Sequence, residues 1–168
     1  MKNIKIKPLL REEFDLFAER TRASYLKTIV GEFGEQEENP VSMDGIILSM
    51  EHPLSKIYDI CIDGESVGGI IVRIDENTNI NCLDHIFIDD ELQGKGIGFK
   101  TWQMIEKMFP ETIIWETHTP YYEIRNINFY VNKCGFQIVE FYNPYHPEPD
   151  DEDSPGGVMF FRMEKKMK

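Results

Sequence analysis

The chain has 168 residues, enough for one substantial core and a single domain over 1–168, and its 41% apolar and 29% charged residues are ordinary for a soluble globular protein. A formal net charge of −12 argues against nucleic acid or an anionic membrane surface as main partner, since both need a basic footprint. The first residues hold no apolar run of signal-peptide length, and no later segment could span a bilayer. Cys61, Cys82 and Cys134 are an odd, scattered set, so the expectation is a cytoplasmic protein with reduced thiols.

Ile4 and Ile6 alternate with lysines as far as Pro8, which predicts a strand on a sheet edge. From Glu12 a helical pattern runs through Phe14, Phe17, Ala18, Thr21, Tyr25 and Ile29 to Gly31, as one helix or as two broken near Thr21. Residues 31–40 are polar and acidic and predict a loop. A short helix then starts at Ser42 or Asp44 and runs to His52-Pro53. Lys56–Ile62 alternates and meets Asp63-Gly64, a strong hairpin signal. The next strand is Ser66–Asp75, where Gly68-Gly69 marks a bulge or a close backbone approach.

The most informative stretch is Leu83–Phe109. Leu83, Ile86, Phe87 and Ile88 make the end of a core strand that begins at Ile80. Gln93-Gly94-Lys95-Gly96-Ile97-Gly98 follows, and Ile97, Thr101, Trp102, Ile105, Met108 and Phe109 then repeat at helical spacing until Pro110. A glycine-rich turn feeding a helix N-terminus is an anion site, because its N–H groups lack intrahelical partners and the macrodipole is positive there. The glycine spacing fits neither a P-loop nor a dinucleotide fingerprint: Gly96 follows Lys95, and five residues separate the strand from the first glycine.

Thr112–Thr117 predicts another strand. Ile127, Tyr130, Val131 and Cys134 fall on one helical face, with Gly135 suited to end that helix in left-handed conformation. Phe136–Tyr142 resumes as a strand, residues 143–157 predict an exposed loop, Val158–Met163 a last strand, and Lys165–Lys168 a fraying tail. Three antiparallel strands, then strand–loop–helix–strand, imply a mixed, mostly antiparallel α/β (α+β) sheet of six or seven strands flanked by helices.

Gln93, Gly96 and Gly98, set after the strand L-D-H-I-F-I-D-D, resemble the Q-x-x-G-x-G acetyl-coenzyme A motif of the GNAT superfamily of N-acetyltransferases. The helix ending in Phe129-Tyr130 and Lys133-Cys134-Gly135-Phe136 resembles that superfamily's second signature, N…FY-x-K-x-G-F. Here one extra residue lies between Tyr130 and Lys133, and Asn126 stands closer to Tyr130 than the common pattern has it. A shift of one residue turns a helical position by about 100°.

The resemblance implies a GNAT-like fold and acetyl-CoA as co-substrate. It implies cofactor contacts from Ile86, Phe87 and Ile88, from the loop Gln93, Gly94, Lys95, Gly96, Ile97, Gly98 and Phe99, and from Asn126, Phe129 and Lys133. It also implies an acceptor amine, on a small cationic molecule or on a protein, and leaves open a homodimer and a non-catalytic acyl-CoA-binding module. An amine with a pKa near ~10 is about one part in a thousand neutral at pH 7, so the site must accept a proton before attack on the thioester. Tyr130 matches the thiolate-protonating tyrosine of many members. For the base the candidates are Asp84, then Glu116, with His118 on the same strand face as Glu116. His85 is expected to point away from Asp84 and to be structural, and Cys82 to be a small core residue. Tyr25, Phe33 and Glu35–Glu38 are candidates for the acceptor side. His52 and His146 are isolated, and no metal-ligand spacing occurs.

Overall fold

The computed structural model describes residues 3–149 and 159–168. After β1 (Ile4–Pro8), one unbroken helix, α1 (Phe14–Phe33), crosses the position where a break near Thr21 was an alternative. Thr21 is fully buried there, and its hydroxyl donates to the Phe17 carbonyl at 2.9 Å inside the helix. α2 (Met43–Glu51) starts on Ser42, whose side chain accepts the Gly45 N–H at 3.1 Å and so satisfies an otherwise orphan donor. β2 (Ser55–Ile62) and β3 (Glu65–Arg73) are joined by Asp63 and Gly64, both at positive φ (51° and 85°), as a type I′ hairpin requires.

β4 (Ile80–Ile88) leads through the glycine loop into α3 (Ile97–Met108). β5 (Ile114–Pro120) begins and ends later than Thr112–Thr117. The Thr112 hydroxyl instead accepts from the Asn81 amide at 2.7 Å and donates to the Phe109 carbonyl at 2.8 Å, closing the turn before the strand. α4 (Ile124–Asn128) continues into a π-helical turn over Phe129–Cys134, followed by β6 (Gln137–Tyr142). β7 (Phe160–Lys166) extends past Met163, which overturns the expected fraying of the basic tail. Lys165 pairs with Glu106 of α3, and the Met167 N–H bonds the Ile113 carbonyl at 2.8 Å. Val158 and residues 150–157 of the expected loop lie outside the described residues.

The seven strands form one sheet in the order β1-β2-β3-β4-β5-β7-β6, and β4–β5 is its one parallel pair. On one face α3 and α4 cover Ile60, Ile70, Val72, Leu83, Trp115 and Met163, with Trp102 set edge-on to Trp115 at 4.9 Å. On the other, Phe17 and Ala18 of α1 and Ile46 and Met50 of α2 cover Ile71 and Phe87.

Gly68-Gly69 is the expected close approach, and the β2–β3 bulge lies directly before it: Ile60 pairs with Gly68 but Cys61 with Ser66, so Val67 is the extra residue. A Cβ on Gly69 would stand 2.1 Å from Cε2 of Phe17, and one on Gly68 would stand 2.2 Å from the Phe87 carbonyl oxygen. The missing side chain at Gly69 lets α1 lie directly on β3, and that at Gly68 leaves room for the β4 backbone. Gly69→Ala is expected to cost about 1–3 kcal/mol by overpacking, and Gly68→Ala at least as much because its obstacle is backbone. Urea midpoints at unchanged m-value measure both.

Candidate active site

The site begins with an irregularity in β4. Ile71 pairs with His85 but Val72 pairs with Leu83, so Asp84 is an extra residue on β4. Such a bulge bends the strand and breaks the alternation of its side chains. Asp84 therefore reaches the α1–α2 side, where it accepts from Arg73 Nε and from the Ser49 hydroxyl, each at 2.6 Å. His85 turns to the same side, and the expectation that it points away from Asp84 is corrected. Its Nδ1 lies 2.6 Å from the Tyr25 hydroxyl. Burial pushes the His85 imidazole towards its neutral form, which leaves Nδ1 free to accept the Tyr25 proton.

Past the bulge, β4 and β5 part. Their pairs run from Ile80↔Ile114 to Leu83↔Thr117 and no further among the described residues. The Thr117 hydroxyl closes that last rung on the Leu83 carbonyl at 2.9 Å. The Asp89 N–H bonds the Val67 carbonyl on β3, so by strand alternation the Ile86 and Ile88 amides point away from β3 into the gap.

The glycine loop stands at the mouth of this gap. The Gln93 side-chain amide donates to the Ile88 carbonyl at 2.9 Å, which ties the loop to the end of β4. Gly94 and Gly96 sit at φ 78° and 80°, left-handed values that cost other residues ~1–2 kcal/mol, and no atom lies within 4 Å of where a Cβ would project. Gly98, in the first turn of α3, packs against Phe129, where a Cβ would make ordinary contact at 3.4 Å. Gap, loop, α1 and α4 enclose a cleft of about 580 Å³.

Ile86, Phe87, Ile88, Gln93, Gly94, Gly96, Ile97, Gly98, Phe99, Asn126, Phe129 and Lys133 all line that cleft, whereas Lys95 does not. Tyr25 also lines it. Phe33 lies at the end of α1, edge-on to Tyr122 at 5.0 Å, and Glu35–Glu38 are exposed on the following loop. Lys27 and Arg125 were not legible as cleft residues, because a lone basic residue on a helix carries no positional signal. With Lys133 they bring three cations to the lining of a strongly acidic chain, against the carboxylates of Asp90 and Glu123, and Asp90 is paired with Lys27.

None of the three expected catalytic side chains, Tyr130, Asp84 and Glu116, is among the residues that line the cleft. Asp84 is held by Arg73 and Ser49 as described. Glu116 pairs with Arg162 at 3.4 Å in a cluster that also holds Glu140 and Glu164. His118 shares that face, stacked on Tyr142 at 6.1 Å and 3.5 Å from Glu148. Cys82 donates its thiol to Asp84 at 3.3 Å, and burial keeps it protonated. His52 and His146 bond locally, to the Leu54 N–H and to Glu140, and no group of three metal-ligating side chains occurs among the described residues.

Tyr130 is buried against Phe129 and Phe136, beside the gap. Burial first, then the charge of Glu123, holds its hydroxyl protonated far beyond the usual tyrosine range, with a hydrogen bond to Thr117 acting the other way. The extra residue after Tyr130 is absorbed by the π turn. Gly135, at φ 87°, donates its N–H to the Tyr130 carbonyl five residues back instead of four, and Phe136 bonds the same carbonyl at 2.9 Å. The inserted residue widens one turn and leaves Tyr130 and Phe136 in contact.

Sequence reasoning passed over Glu123. It is 3% exposed, lines the cleft, and accepts from the Asn126 amide. Burial pushes its carboxyl up to about 7, against the pull of that hydrogen bond. The local cue was thin: one acid among Tyr121, Tyr122 and Ile124 in a short connection.

The acetyltransferase (GNAT) family profile matches residues 12–136. A Bacillus subtilis (strain 168) protein named Uncharacterized protein YrkN is 42% identical over 170 residues, covering 95% of this chain and 92% of that one. PaiA N-acetyltransferase from Thermoplasma acidophilum, solved with coenzyme A, superposes with a TM-score of 0.67 at 20% identity, over 98% of this chain and 99% of its own. The ribosomal-protein-S18-alanine N-acetyltransferase of Escherichia coli does so with 0.66 at 13% identity, over 99% and 95%. At these identities the two solved structures share the fold.

Deleting Asn132, an exposed residue whose side chain bonds only Asn128, would join Tyr130 and Gly135 by an ordinary α turn. The variant is expected to unfold cooperatively within about 5 °C of the parent in a thermal melt. A collapse of the melting temperature would show that the wide turn is required for packing.

Proposed function

This chain belongs to the acetyltransferase (GNAT) family, and on that premise we propose that it transfers the acetyl group of acetyl-CoA directly to a primary amine in the cleft beside β4. One observation carries the reading: a glycine loop, strand amides without a strand partner and three cations share a single groove of about 580 Å³ on a chain of net charge −12.

The residues fit such a donor. At Gly94 and Gly96 a Cβ would project into open space, so the absent side chains let backbone N–H groups approach a pyrophosphate at the start of a 12-residue helix. Gln93, Gly94, Gly96, Ile97, Gly98 and Phe99 would surround that end. Ile86, Phe87, Ile88, Asn126 and Phe129 would flank the pantetheine arm, and Lys27, Arg125 and Lys133 would balance phosphate charge. When bound, acetyl-CoA supplies a thioester carbonyl. The Ile86 and Ile88 amides, about 6.6 Å apart as alternate residues of one strand, would then divide the task, one bonding the pantetheine arm and the other the oxygen on which charge develops. Tyr130, kept protonated by its burial, gives its proton to the departing sulfur.

For the acceptor we read a small cationic molecule. Its support is the acidic Glu35–Glu38 run beside the Phe33–Tyr122 aromatic pair, since carboxylates and ring faces both attract ammonium groups. We read the protein as cytoplasmic; among the described residues no helix is long and apolar enough to cross a membrane.

Release of free CoA thiol from acetyl-CoA tests the reading across a panel of primary amines, with peptides bearing free N-termini as the competing class. Small cationic amines are expected to accelerate release. Tyr130→Phe is expected to lower kcat about 10- to 100-fold, the low end of general-acid effects, because a thiolate already leaves well. Donor binding that no amine converts to thiol release would leave a binding module in place of an enzyme.

A further inference from the structure

We propose that Glu123 is the group that takes the proton from the acceptor amine, in place of Asp84 or Glu116. The inference rests on the transfer reading above and assigns a residue to its proton step.

A general base needs a free lone pair, access to the reacting atoms and a way to lose the proton afterwards. Asp84 has Arg73 and Ser49 on one oxygen, with the Cys82 thiol on the other, and lies outside the cleft lining. Glu116 is paired to Arg162. Of the two carboxylates that do line the cleft, Asp90 is neutralised by Lys27 at its mouth. Glu123 has no ion-pair partner among the described residues, and its hydrogen bond from the Asn126 amide engages one oxygen only. Three hydroxyls feel its charge: Tyr25 on α1, Tyr122 beside it on the β5–α4 connection, and Tyr130 on the π turn that follows α4. Tyr130 is not itself a lining residue of the cleft, but its hydroxyl thus lies within electrostatic reach of a carboxylate that is.

That proximity closes the proton cycle. The amine nitrogen forms its bond to the acetyl carbon while Glu123 takes the N–H proton. The carbon–sulfur bond breaks, its electron pair leaves on sulfur, and the Tyr130 hydroxyl protonates the thiolate. Glu123 then returns its proton to the Tyr130 oxygen, and both groups regain their starting states. From the neutral amine the sum is thioester plus amine giving amide plus thiol; an acceptor that arrives as an ammonium first gives one further proton to water. Since burial lifts the carboxyl to about 7, the basic form is present above that pH and is lost as pH falls through it.

Three measurements on the full chain decide the matter. In the protein without ligand, the Glu123 carboxyl carbon, assigned by its disappearance in Glu123→Gln, should titrate near pH 7; a midpoint in the usual carboxylate range overturns the proposal. Glu123→Gln should keep its thermal transition and bind acetyl-CoA within about threefold of the parent by calorimetry. Its kcat should fall about 10²- to 10⁴-fold and the acidic limb of the pH profile near 7 should disappear. Retained turnover with the limb intact overturns the assignment, with Asp84→Asn and Glu116→Gln as the variants that then locate the base. Weak acetyl-CoA binding with parental kcat at saturation also overturns it and makes Glu123 a donor contact. If the parent protein transfers acetyl to no amine, the transfer reading fails, an outcome distinct from any of these.

Discussion

The molecule depends on the point where β4 and β5 stop sharing hydrogen bonds. A parallel pair in the middle of a sheet would ordinarily continue to the ends of both strands, since an unpaired buried amide costs about as much as a lost hydrogen bond. Here the pairing ends at Leu83↔Thr117, one residue before the bulge at Asp84. The Arg73–Asp84–Ser49 contacts hold that bulge in place from the α2 side, away from the cleft. Those contacts tie Asp84 to the shape of its strand.

Charge is distributed on the same plan. The chain is acidic as a whole, yet Lys27, Arg125 and Lys133 come from two separate helical segments to one cleft. Near them lie buried neutral groups: Tyr25, Tyr130 and a carboxyl that burial keeps half-protonated near neutrality. Phosphate recognition suits the exposed cations, where charges are screened and exchange readily. Proton transfer suits the buried groups, where a small change in surroundings moves a pKa by units. The contrast follows from which side chains the fold lets water reach.

Much of this was legible in the residues, and the reasons differ by feature. The glycine loop could be read because backbone geometry dictates residue type there: left-handed φ at Gly94 and Gly96 leaves few alternatives. β1 could be read because an edge strand shows period two, and β2 to β4 because apolar runs between turn residues mark strands covered on both faces. β7 was cut short because Lys165 and Lys166 look solvated. In fact they are strand residues on either side of the last rungs to β5, and Lys165 finds Glu106. The positions of Asp84 and His85 were misjudged because alternation assumes a regular strand, and a bulge leaves no residue-type mark. Glu123 escaped notice because its distinguishing property is burial, which tertiary packing confers on an otherwise ordinary acid.

The π turn at Phe129–Cys134 bears on how relatives of this chain should be compared. An insertion in a helix could have been passed along, rotating everything after it and sending Phe136 to the wrong face. Instead the extra residue is stored where it entered, as a loop of backbone one hydrogen bond wider. Any alignment that keeps Tyr130 and Gly135 at a fixed distance must therefore misassign one of them. The gap belongs inside the helix, between the hydroxyl and the glycine, and a chain lacking it has the same wall with one fewer brick.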